Sequence, residues 1–176
     1  MTEAKRFEPR ELAFGGLFGA AALVLPMVFH LLHLGHVFMP MYLPIMALAF
    51  FSSPRIAATT AFLVPLFSGL FTGMPPFYPP VAVAMSIELT VMSALASWGA
   101  RRFPGRTLLV LLPTLLLGRG LQAGFGYLLG LLLELPAGFL SITSVVSGWP
   151  GLVLMILVIP TVLRLVERRA SDQESV

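Results

Sequence analysis

The chain contains no cysteine. Disulfides, thiolate metal sites and cysteine nucleophiles are thereby excluded. Charge is scarce as well. Asp, Glu, Lys and Arg make up 11% of the 176 residues, against about 25% in a soluble domain. The only aspartate is Asp172, so no Ser–His–Asp set can assemble within the apolar part of the chain. No GxxxxGK[ST] loop occurs, and the chain alone has no P-loop means of hydrolysing ATP. HExxH is absent too: His30, His33 and His36 are spaced too closely and no glutamate lies between them. No nucleophile–base set stands out, and an enzyme is not expected.

What the chain has in quantity is apolar surface. Hydrophobic residues reach 57%, and the mean hydropathy is +0.93. These values describe an integral membrane protein of one domain. The pI near 10.0 does not indicate nucleic-acid binding, because the basic residues sit at helix ends. Spans of roughly 20 apolar residues are expected at about 11–34, 37–51, 54–73, 80–100, 106–133 and 150–166. The first is preceded by Lys5, Arg6 and Arg10. It is too long for a signal-peptide core, so it reads as a transmembrane helix. The second is short and interrupted by Pro40 and Pro44. Residues 167–176 read as a polar, frayed tail.

Orientation follows from the connections. Lys5, Arg6, Arg10, Arg55, Arg101, Arg102, Arg106, Arg164, Arg168 and Arg169 all fall on one side of a six-helix arrangement. The connections on the other side, LGH, MPPFYPP and ELPAGFLSITSVVSGW, hold neither Lys nor Arg. The positive-inside rule predicts both termini in the cytoplasm. The outer connections are rich in Pro, Gly and aromatics. Irregular apolar backbone at membrane depth survives where it is buried or lines a cavity, so these loops are expected to fold over something. Pro65–Glu88 is the clearest case: a helical run, the PPFYPP hairpin, then a helix carrying Glu88.

Two charges fall inside spans, Glu88 and Arg119. Each costs about 2.5–3.5 kcal/mol at a helix centre. The fifth span offsets this with its thirteen leucines between Leu108 and Leu133, worth roughly −6 kcal/mol. The two charges are expected to differ in depth by about 9 Å. They either pair to hold two helices together or contact a polar solute. Gln122 shares a face with Arg119. His30, His33 and His36 could instead serve a transition metal. Gly15 with Gly19, and Gly16 with Ala20, form small-xxx-small pairs that let another helix approach.

Several stretches together resemble a known family: FMPMYLPIMALAF, LVPLFSGLFTGMPP, SIELTVMSALAS and GWPGLVLMILVIPTVLRLVE. They are similar to the substrate-binding subunits (S components) of energy-coupling factor transporters, which take up vitamins in prokaryotes. TGMPP and GWPG are the most specific. Tyr42 departs from the pattern, since related sequences often have histidine there, and the small-residue motif of the first helix uses glycines in place of the usual alanines. The resemblance implies an all-α bundle of six transmembrane helices in the prokaryotic cytoplasmic membrane. It implies a solute held near the outer face under the loops. The partners it implies are a membrane coupling subunit (T component) and two cytoplasmic ATPases, with no cofactor. Gly15, Gly16, Gly19 and Ala20 would then dock the coupling subunit.

The residues expected at the solute are Tyr42, Phe77, Tyr78 and Trp149 as apolar or stacking walls, with Glu88, Arg119, Gln122 and His36 as polar contacts. Two other functions remain open. One is a transition-metal uptake subunit using the histidines. The other is a self-sufficient proton-coupled carrier or channel with Glu88 as the proton site.

Overall fold

The computed structural model describes residues 8–31, 35–134 and 148–174. Among these residues every regular element is helical. The helices are α1 (Pro9–Leu31), α2 (Gly35–Phe38), α3 (Tyr42–Phe51), α4 (Pro54–Thr72), α5 (Val81–Arg102), α6 (Thr107–Leu132) and α7 (Trp149–Glu174). Five of them, α1, α4, α5, α6 and the Trp149–Val166 part of α7, are long and apolar enough to cross a membrane. The chain is a multi-pass, all-helical membrane protein.

The second expected span is not one helix. It is a single turn, α2, followed by the ten-residue α3. At 1.5 Å per residue α3 extends about 15 Å, half of a hydrocarbon core. Pro40 lies between the two pieces. Pro44 sits in the first turn of α3, where a missing N–H costs nothing. It therefore belongs to the helix rather than breaking it. α3 is buried on most sides, including Tyr42, Ile45, Met46, Leu48 and Ala49, as expected of a helix apolar all round. It packs against α1, α4, α5 and α7 and forms the centre of the molecule.

Elsewhere the boundaries have local causes. α4 begins with Pro54 after Ser53. It ends at Gly73, whose φ of 73° lets its N–H reach Gly69 O at 3.0 Å. The C-terminal end also departs from expectation. α7 runs on through Glu174, so most of the polar tail is helical. The stretch Arg164–Glu174 holds no Gly or Pro to stop it.

Small and hydroxyl residues let the helices close up. A Cβ at Gly99 would stand 2.8 Å from Val110 Cγ1, and one at Gly118 would collide with the Met92 side chain. These positions fix the α5–α6 contact. Ser93 Oγ donates to Ala57 O at 3.2 Å, and Ser97 Oγ donates to Ser52 O at 2.7 Å. Both serines are fully buried, and they tie α5 to α4 and to the end of α3. The small residues of α1 divide between two faces. Gly15 and Gly19 are buried against α4, where added Cβ atoms would meet Ile56 and Thr60 at 3.1–3.3 Å. Gly16 and Ala20 face outward.

At the end of the bundle that carries the arginines, Glu11 joins three elements. One carboxylate oxygen accepts the Ser53 N–H at 3.0 Å. The other accepts the Ser53 hydroxyl at 2.6 Å. Arg101 Nη2 adds an ion pair at 3.1 Å. Ser53 precedes the first turn of α4 and has no side-chain cap of its own. Glu11 thus caps α4 from another helix, and its charge suits that helix N-terminus.

Candidate functional site

At membrane depth, polar groups from three helices meet. Tyr42 is the first residue of α3, Glu88 lies two turns into α5, and Arg119 lies near the middle of α6. All three line one small cavity, completed by Met39, Met92, Leu115, Gly118, Leu152 and Met155. Helical spacing explains the lining. Glu88 and Met92 are i, i+4 on α5; Leu115, Gly118 and Arg119 are i, i+3, i+4 on α6; Leu152 and Met155 are i, i+3 on α7. Each helix turns one stripe to the same point.

Glu88 is 4% exposed and Tyr42 6%. Tyr42 and Glu88 both line the cavity. Arg119 also lines it. The two charges do not touch. The single ion pair among the described residues is Arg101–Glu11. Arg119 Nη1 donates to Gln122 Oε1, and Nη2 donates to the Met39 thioether at 3.2 Å. Its guanidinium also packs on Gly148, where a Cβ would collide with it.

The cavity is small, with room for about one water molecule. Three methionines and two leucines surround a carboxylate, a phenol and a guanidinium, so any guest would meet two opposite charges among mostly apolar walls. Met39 has φ 47°, a left-handed conformation. For a residue with a side chain this costs about 1–3 kcal/mol.

Of the residues expected at a solute, Tyr42, Glu88 and Arg119 come together, and Gln122 supports Arg119. Phe77, Tyr78 and Trp149 do not join them. They are 47%, 77% and 61% exposed. Phe77 folds back on α4, and a Cβ at Gly69 would stand 2.9 Å from its ring. The PPFYPP loop is held by the Ser68 hydroxyl, which donates to Met74 O at 2.6 Å, and by the Ala82 N–H, which donates to Pro76 O at 3.0 Å. It is therefore a fastened turn beside the α4–α5 pair, not a cover on this cavity. His33 and the His36 side chain lie outside the described residues. Among the described residues no three metal-ligating side chains converge.

Sequence reasoning missed the methionines. Met39, Met92 and Met155 form much of the wall. The i, i+4 offset of Met92 from Glu88 was available as a signal. Met39 was not, because its place depends on the break between α2 and α3. Comparison with family models, curated proteins and solved structures yields no match to this chain.

Proposed function

We propose that the chain is the substrate-binding subunit (S component) of an energy-coupling factor transporter. It captures a small vitamin-like solute from the outer face of a prokaryotic cytoplasmic membrane, with both termini inside. A separate coupling subunit and two ATPases drive uptake. One observation carries the proposal: Glu88 and Arg119, each on an apolar helix long enough to cross a membrane, line one cavity without pairing with each other. Intramembrane charges that neither face lipid nor neutralise each other mark solute or ion pathways. Gln122 accepts from Arg119 and orients it, and Tyr42 lines the cavity with Glu88. The stretches quoted above that resemble S components supply the transporter class, and Gly16 and Ala20, which face outward on α1, remain open to a coupling subunit.

The test is mass spectrometry of small molecules retained by the purified chain. A single solute, bound near one to one and lost in Glu88→Gln, is the expected result. Uptake of that solute by vesicles should then need ATP and the partner subunits. A chain that retains nothing and gives no ATP-dependent uptake refutes the proposal.

The size of the cavity favours a second reading, a proton-coupled carrier in which Glu88 exchanges a proton through a single water. Liposomes containing the chain alone would then acidify or move solute on a pH gradient. Under the S-component reading they stay inert.

A further inference from the structure

Arg119 supplies the charged donors at the cavity, and its acceptors among the described residues are both neutral. A thioether is a weak acceptor. A guanidinium is matched by a carboxylate, which two parallel N–H groups can grip at once. Glu88 opens on the same cavity but stands beyond ion-pair distance. The Met39 sulfur therefore occupies a position on Arg119 suited to an anion.

Met39 is also the lining side chain best able to leave. It lies in the connection between α2 and α3, so its movement breaks no helix. Its backbone is left-handed, and a change of conformation relieves that strain. Glycines make room for it: a Cβ at Gly148 would stand 2.9 Å from its sulfur, and one at Gly151 would stand 3.3 Å from its Cγ. Its side chain is unbranched and can refold into a new gap. Met92 and Met155 are held on long helices and are 2% and 1% exposed. With Met39 in place only about one water fits.

Resting on the solute-binding reading above, we infer that Met39 is a displaceable plug in an anion subsite, and that the solute presents a carboxylate to Arg119 in its place. Glu88 and Tyr42 then face the part of the solute that carries a hydrogen-bond donor. The apolar walls from Met92, Leu115, Leu152 and Met155 hold its body. Binding exchanges a weak sulfur contact for a bidentate, charge-assisted one.

The experiment uses the full chain in lipid nanodiscs with methyl-13C methionine. The Met39 signal, one of nine methionines, is identified by its loss in Met39→Ala. The probes are benzoate and benzamide, an acid and a neutral amide of the same shape. Benzoate is expected to move the Met39 signal and benzamide to leave it in place. Arg119→Gln should weaken benzoate about tenfold or more, the loss of a charge-assisted hydrogen bond. Met39→Ala, with no plug to displace, should bind benzoate about fivefold more tightly. The remaining methionine signals report whether each variant is folded.

Equal responses to acid and amide, or no response to either, overturn the plug. So does weaker benzoate binding in Met39→Ala. The retained solute separates this inference from the uptake reading. A retained solute without an acid group sinks the carboxylate assignment alone. A Met39 that answers to benzoate, in a chain that neither retains nor transports a solute, sinks the uptake reading alone.

Discussion

Two polar clusters in this molecule each hold one glutamate and one arginine from different helices, and they are built differently. At the arginine-bearing end, Glu11 has every partner it needs: the Ser53 N–H, the Ser53 hydroxyl and Arg101. At membrane depth, Glu88 and Arg119 share a cavity and do not meet. The first cluster joins α1, α4 and α5 where water can reach it. The second sits where an unpaired charge is costly. A cluster built only to hold helices would pair its charges in the dry place first. The reverse arrangement separates a fastening from a site.

The largest expected effect tests the site. Glu88→Gln keeps the shape of the side chain and removes its charge. Binding of the retained solute should fall by roughly thirtyfold, equivalent to about 2 kcal/mol for a hydrogen bond to a charged group. The melting temperature in detergent should change little, because no ion pair is broken. Calorimetry with the solute and a thermal melt of the same sample give both numbers. Equal losses of binding and stability, restored by adding Arg119→Gln, would show coupling between the two charges and would make this cluster a fastening too.

How much of this was legible in sequence depends on range. The long spans were readable from hydropathy, because each helix carries its own apolar signal. Glu88 and Arg119 stood out because charge within such spans is rare. The half-length α3 was harder. Pro44 looks like a breaker until the helix start is known, and only then does it fall in a permissive first turn. Phe77 and Tyr78 were legible as part of a turn, but nothing local says that Phe77 lies over Gly69 instead of over the cavity. Glu11 was invisible for the same reason. Its partners are 42 and 90 residues away, and no periodicity links them.

A medium effect tests the fastening. Glu11→Ala removes two hydrogen bonds and an ion pair, and it leaves the start of α4 uncapped. Loss of a cap costs about 1 kcal/mol, and the Ser53 groups can turn to water at this end of the bundle. Thermal melts should show a loss of about 1–2 kcal/mol, with solute binding unchanged. A fall in binding as large as that of Glu88→Gln would mean that the two clusters act as one unit.

The smallest effect divides the fastening into its parts. Arg101 is more than half exposed, at 56%, whereas Glu11 is 20% exposed. An ion pair with one partner in solvent contributes about 0–1 kcal/mol, and salt screens it. The bonds to Ser53 are shielded by the helices they join. Arg101→Ala should therefore cost less than about 0.5 kcal/mol at low salt, and this small difference from wild type should vanish as salt is raised. Glu11→Ala should keep most of its deficit under the same titration. If Arg101→Ala instead matched Glu11→Ala at every salt concentration, the guanidinium and not the α4 cap would be what holds α1 in place.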